Sequence, residues 1–170
     1  KSEEHRAAVE MYHVDESEVY SKEGLKALKD GCANVIDSFS DKVKVAAEAV
    51  NAVLKDAGVD ADDFNRKFMS QIYKYIELER GKAVPVPTDS FMEKAPCPEK
   101  WFAKAKAVKL MPKVEGLLDG PLNAFCELLE DEYRIYRTAG ILKRQVFALG
   151  LARELDEAFD NLVKEKNVMS

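Results

Sequence analysis

The sequence predicts one all-α domain, a multi-helix bundle of about five to seven helices with one long proline-rich connecting segment. Apolar residues recur every three or four positions almost throughout, which is the spacing of one face of a helix. Glycine and proline number 8 and 6, too few for the frequent turns of an all-β fold. With 46% hydrophobic residues, 170 residues can form a core without disulfides or metals.

Residues 1–20 are predicted to form an N-terminal helical arm. Asp15 and Glu18 have the spacing of a capping box, in which two side chains satisfy free backbone amides at a helix start. A stripe of apolar residues then predicts a first long helix from Lys22 to Phe39.

Local capping residues divide the next part of the chain. Ser40 can cap a second helix, which should end before Gly58, because glycine adopts the left-handed conformation common at helix ends. Asp60 can cap a third helix, which we expect to end near Arg80. Its buried side should carry Phe64, Phe68, Ile72 and Ile76.

Residues 81–98 hold four of the six prolines and are predicted to form an irregular strap, with a short helical turn at 89–94. Pro98 suits the first position of a helix running to about Leu110, and Pro112 should break or kink the chain.

The apolar pattern of the C-terminal part predicts further helices. Gly120 and Pro121 restart the helical pattern, and Gly140 either separates two helices or lies within one. After Gly140, an apolar stripe predicts a long final helix; it consists of Leu142, Val146, Leu149, Leu155, Phe159 and Leu162.

Charge is distributed unevenly. The chain has a formal net charge of −5, which argues against a surface built for nucleic acid. The stretch from Lys94 to Lys113 nevertheless holds six lysines and one glutamate, so the rest of the chain carries about −10. A basic amphipathic helix with the only tryptophan could dock on an acidic protein or on lipid headgroups. The predicted contact residues are Lys100, Trp101, Lys104, Lys106, Lys109 and Lys113. In the alternative interpretation, Trp101 is a core residue covered by lysine side chains.

No motif for catalysis, a metal or a cofactor is present, and we predict neither an enzyme nor a cofactor. Glu10 and His13 have the Glu-x-x-His spacing of di-iron bundles, but a single copy lacks the further ligands. Acid–base chemistry built from Glu, Lys and Tyr would leave no motif, so catalysis ranks third among the functions considered.

A carrier of an apolar ligand such as a lipid, held between helices, is the second hypothesis. The aromatic residues that could line its cavity are Phe64, Phe68, Tyr73, Tyr75, Tyr133 and Tyr136.

Cysteine usage and hydropathy indicate little about compartment. Cys32, Cys97 and Cys126 are an odd number at wide spacing, which favours a reducing environment. One disulfide together with one free thiol is the alternative. No stretch approaches the about 20 apolar residues of a transmembrane helix.

A resemblance accompanies these patterns. Residues 101–136, with a tryptophan, a turn containing proline and a closing tyrosine pair, are loosely similar to small helical modules of secreted pathogen effectors. The first hypothesis is a non-catalytic helical binding protein that acts through its charged helical face and proline-rich strap, and the resemblance adds a secreted or surface effector-type module.

Overall fold

The structure is a computed structural model that describes residues 21–169, with side chains up to residue 165. Of the described residues 81% are helical and none lies in a strand, which confirms the all-α multi-helix class. The predicted arm at 1–20, with Asp15 and Glu18, lies outside the described residues.

Six α-helices follow one another in the described part. They are α1 (Lys22–Ala57), α2 (Ile72–Ile76), α3 (Asp89–Lys94), α4 (Lys104–Val114), α5 (Asp119–Asp131) and α6 (Tyr133–Met169). Short 3-10 segments occupy Ala61–Asp63, Asn65–Gln71 and Pro98–Lys100.

The chain forms two compact units. Within the described residues, the first comprises 21–36 and 135–169, and the second comprises Asp37–Arg134. The core of the first unit consists of Leu25, Leu28, Cys32, Ala139, Leu142 and Val146. The prediction of one domain over residues 1–170 stays a prediction.

Helix α1 is continuous where the sequence predicted two helices. Ser40 lies inside it and is buried, so its predicted role as a cap is wrong. No glycine or proline interrupts the chain from Cys32 to Ala57, and buried apolar residues continue on both sides of Ser40. The helix ends as predicted at Gly58, whose φ is 68°.

The predicted third helix is broken. Asp60 does cap its start, but the capped segment is the 3-10 turn Ala61–Asp63, and regular α-helix is limited to α2. Arg66 and Lys67, with φ of 51° and 56°, lie in the left-handed region, which costs about 1–2 kcal/mol for each residue with a β-carbon. Ile76 is only half-buried, and Tyr75 occupies the core instead.

Two features of the second unit compensate for this break. The Phe64 ring packs 4.5 Å from the Phe102 ring, centre to centre, and the backbone N–H of Asn65 donates to the carbonyl oxygen of Trp101 at 2.8 Å. Both contacts join segments distant in sequence. Tertiary packing therefore overrides the helical pattern here.

The proline-rich strap is irregular apart from α3, as predicted. Its backbone is bound by two side chains of the preceding segment. The Tyr75 hydroxyl donates to the carbonyl oxygen of Pro85 at 2.9 Å, and the buried Gln71 amide contacts Val86 and Thr88. Thr88 in turn caps α3 by accepting from the N–H of Phe91 at 3.2 Å.

The two prolines around α4 act differently from the prediction. Pro98 begins only a 3-10 turn, and α4 starts separately at Lys104. Pro112 lies inside α4, which continues to Val114 and ends before Gly116, at φ 80°. Pro112 cannot donate a helical hydrogen bond, and only two residues of the helix follow it.

Helix α6 runs through Gly140, so that glycine separates no helices. The long final helix is as predicted. Leu142 and Val146 of its apolar stripe are buried, but the later part of the stripe is exposed. Leu155 is 70% exposed and Phe159 65%. The stripe is therefore covered only as far as Leu149, which packs at the edge of the core.

Candidate basic interaction surface

Helix α4 is a surface helix with an unusual charge. It contains four lysines and no acidic residue, and Val114 is its one buried side chain. Lys104, Lys106, Lys109 and Lys113 are all exposed. We call these four lysines the α4 lysines.

The segment before α4 attaches it to the core of the second unit. Trp101 is 1% exposed, and its Nε1–H donates to the carbonyl oxygen of Ala95 at 2.9 Å. Phe102 is buried against Phe64. Trp101 is thus a core residue, as the alternative interpretation predicted, and it is not available to a partner.

The predicted contact lysines fall into two groups. Lys100 pairs with Glu93 at 3.1 Å, and this hydrogen bond holds the pKa of Lys100 above its ordinary value. Lys106 lies 4.0 Å from a carboxylate oxygen of Asp63. Among the described residues, Lys104, Lys109 and Lys113 have no ion-pair partner. A carboxylate of a partner can therefore bind these three lysines without displacing one that is already bound.

Small apolar side chains lie between these charges. At about 100° per residue, Ala105, Val108 and Pro112 share the outer side of α4, and all three are exposed, Val108 by 83%. Lys104 lies on one side of this strip and Lys109 on the other. The surface can therefore make both ionic and limited apolar contacts.

The charges at the start of α4 are unfavourable for the helix itself. Lys104 and Lys106 occupy its first turn, where the helix dipole is positive, and no acidic residue is present there. Ala103 at the N-cap supplies no side-chain hydrogen bond. Helix stability alone therefore does not account for the lysines at this end.

Two exposed basic residues near α4 were not singled out by the helical pattern. Arg66 and Lys67 follow directly after Asn65, whose N–H contacts the carbonyl of Trp101. The pattern placed them within a regular helix, and no glycine or proline marks the turn. Their neighbour Asn65 is the single local signal, since asparagine favours turns.

The aromatic residues considered for a ligand cavity mostly contact other rings. Phe64 packs on Phe68 at 5.6 Å, and Tyr75 packs on Phe125 at 5.1 Å. Tyr133 packs edge-on against Phe39. Tyr73 is 36% exposed, and burial together with Asp60 raises its pKa. Tyr136 is half-buried.

Other reactive groups offer no assembled site in the described part. Cys32 and Cys126 are buried, and burial raises the pKa of the Cys126 thiol to about 12, so it stays protonated at neutral pH. Residues 21–169 contain no group of three or more His, Cys, Asp or Glu side chains placed to hold a metal ion. Glu10 and His13 lie outside the described residues. None of the described helices is both long and apolar enough to span a membrane.

Comparison with protein-family models, curated proteins and solved structures finds no match to this chain.

Proposed function

We propose that the protein is a non-catalytic binding module that docks an acidic segment of a partner protein on the α4 lysines. The observation that supports this most is the exposure of four lysines on one helix without an acidic residue. A role as a secreted or surface effector-type module is the proposal that the resemblance of residues 101–136 adds.

An acidic protein segment fits this surface better than a membrane does. Interfacial helices insert large apolar residues such as Trp, Phe or Leu. On α4 the outer apolar strip consists of Ala105, Val108 and Pro112, and Trp101 is buried in the core. Carboxylates on a protein can approach the lysines without that insertion.

The proline-rich strap belongs to the same proposal as a second surface. Its backbone is held by Gln71 and Tyr75, while the side chain of Val86 is 71% exposed. A rigid exposed segment loses little conformational entropy when a partner binds it.

The test uses a fluorescein-labelled glutamate-rich peptide and the same peptide with glutamine in place of glutamate, measured by fluorescence anisotropy. We expect the protein to bind only the glutamate peptide, with affinity that falls from about 50 to 300 mM NaCl. The variant Lys104→Gln/Lys109→Gln/Lys113→Gln should bind about tenfold more weakly, because each exposed ion pair contributes about 0.2–1 kcal/mol.

The matched control replaces three exposed lysines of α1, as Lys22→Gln/Lys26→Gln/Lys29→Gln. It changes net charge equally and should retain most of the affinity. Equal losses in both variants would contradict a specific surface on α4. Stronger binding to equimolar phosphatidylserine and phosphatidylcholine vesicles, or to duplex DNA, would replace the protein partner with a membrane or a nucleic acid.

A further inference from the structure

The strongest feature outside α4 is the turn at Arg66 and Lys67. Both side chains are exposed, and both backbones lie in the left-handed region at φ 51° and 56°. Glycine or asparagine adopts this conformation at much lower cost. Two long basic side chains are therefore present where local stability favours other residues.

This turn is joined to the start of α4 by three contacts. Besides the Asn65–Trp101 hydrogen bond and the packing of Phe64 on Phe102, Asp63 lies 4.0 Å from Lys106. Covalent geometry then limits the distance between the α-carbons of Arg66 and Lys104 to roughly 22 Å, which about six or seven extended residues span.

The acidic residues beside the turn have partners of their own. Asp60 accepts the N–H of Asp62 in the helix cap, and Asp62 accepts the hydroxyl of Ser70. Asp63 accepts the N–H of Asp60 and faces Lys106. Among the described residues, neither Arg66 nor Lys67 has an ion-pair partner, so their charges are available to a ligand.

We propose that Arg66 and Lys67 form a second contact point for the acidic segment that binds α4, so that one extended peptide spans both. This inference rests on the proposed function and specifies its partner: a segment with acidic residues near both of its ends. A guanidinium can bind a carboxylate through two parallel hydrogen bonds, which gives Arg66 a geometric preference that lysine lacks.

The test compares two variants of the turn with the same glutamate-rich peptide. Arg66→Gln/Lys67→Gln removes the charges and keeps residues that are strained in the left-handed region. Arg66→Asn/Lys67→Gly removes the charges and suits that backbone. We expect both to bind about three- to tenfold more weakly, and the second to have a higher Tm than the wild type.

The control is Lys26→Gln/Lys29→Gln, two exposed lysines of α1. Turn variants that bind like this control, while the α4 variant loses affinity, would overturn the inference and leave the proposed function intact. A wild-type protein that fails to bind the glutamate peptide would overturn both.

Discussion

Gln71 accepts two hydrogen bonds from Thr88 through its side-chain oxygen, at 3.2 Å from the backbone nitrogen and 2.8 Å from the hydroxyl. Its amide nitrogen donates to the Tyr75 hydroxyl at 3.2 Å and to the carbonyl oxygen of Val86 at 3.3 Å. Gln71 is only 9% exposed, so these four bonds replace the water that it loses on burial. The contact between Gln71 and Thr88 therefore holds the proline-rich strap to the core.

Removing the Gln71 amide should destabilise the second unit. Gln71→Leu leaves the N–H of Thr88 and the carbonyl of Val86 without this partner, and we expect a loss of about 2–3 kcal/mol in the free energy of unfolding by urea. Thr88→Val removes one bond to Gln71 and the cap of α3, and should cost about 1–2 kcal/mol. The exposed substitution Val86→Thr is the control, with a change within about 0.5 kcal/mol. A Gln71→Leu variant as stable as this control would contradict the proposed role of the amide.

The buried hydroxyl of Tyr75 should make the protein less stable at alkaline pH. Burial raises its pKa to about 12, so the unfolded chain loses the hydroxyl proton first, near pH 10. The unfolded state then binds fewer protons than the folded state, and stability falls as the pH rises from about 10 to 12.

The variant Tyr75→Phe isolates this effect. At neutral pH it loses the hydrogen bonds to Pro85 and Gln71, and should be about 1–3 kcal/mol less stable than the wild type. The variant lacks the titrating hydroxyl, so only the wild type loses stability through it between about pH 10 and 12. The difference between the two proteins in free energy of unfolding should therefore narrow over this range. Urea unfolding of both proteins across this range measures the difference directly, and changes common to both cancel. A constant or widening difference would contradict the raised pKa.

Local signals predicted a large part of this fold. The all-α class followed from helical spacing, and Gly58 and Asp60 were found because helix caps depend on a few adjacent residues. The division at Ser40 was wrong because a serine can cap a helix or lie inside one, and the neighbouring apolar residues decide between them.

Tertiary contacts determined what the local patterns missed. The left-handed turn at Arg66 and Lys67 depends on Trp101 and Phe102, more than thirty residues away in sequence. The surface lysines of α4 were predicted, because a lysine-rich stretch without an acidic residue is visible in the sequence itself. The burial of Trp101 and the pairing of Lys106 with Asp63 were decided by packing.

Helix α4 offers a test that separates stability from binding. Lys104→Glu places a negative charge at the positive end of the helix dipole, and should raise stability by about 0.3–1 kcal/mol. Lys113→Glu makes the same change in the last turn and should lower stability by a similar amount. Both should weaken binding of the glutamate peptide.

The measurement is thermal unfolding at low salt and at about 1 M NaCl. Because salt screens the interaction with the helix dipole, the difference in Tm between the two variants should shrink at high salt. If Lys104→Glu binds as well as the wild type, this lysine is no part of the contact surface. If it is less stable than Lys113→Glu at low salt, the dipole argument is wrong.

The two ends of the predicted stripe on α6 should respond differently to the same substitution. Leu142 is 1% exposed within the core of the first unit, and Leu142→Ala should cost about 2–5 kcal/mol. Leu155 is 70% exposed, and Leu155→Ala should change stability by no more than about 0.5 kcal/mol. Urea unfolding measures both, and each variant is the other's control. A large loss for Leu155→Ala at every protein concentration would show that this side chain is buried within the monomer in solution, whereas a loss that grows with protein concentration would show burial against a second copy.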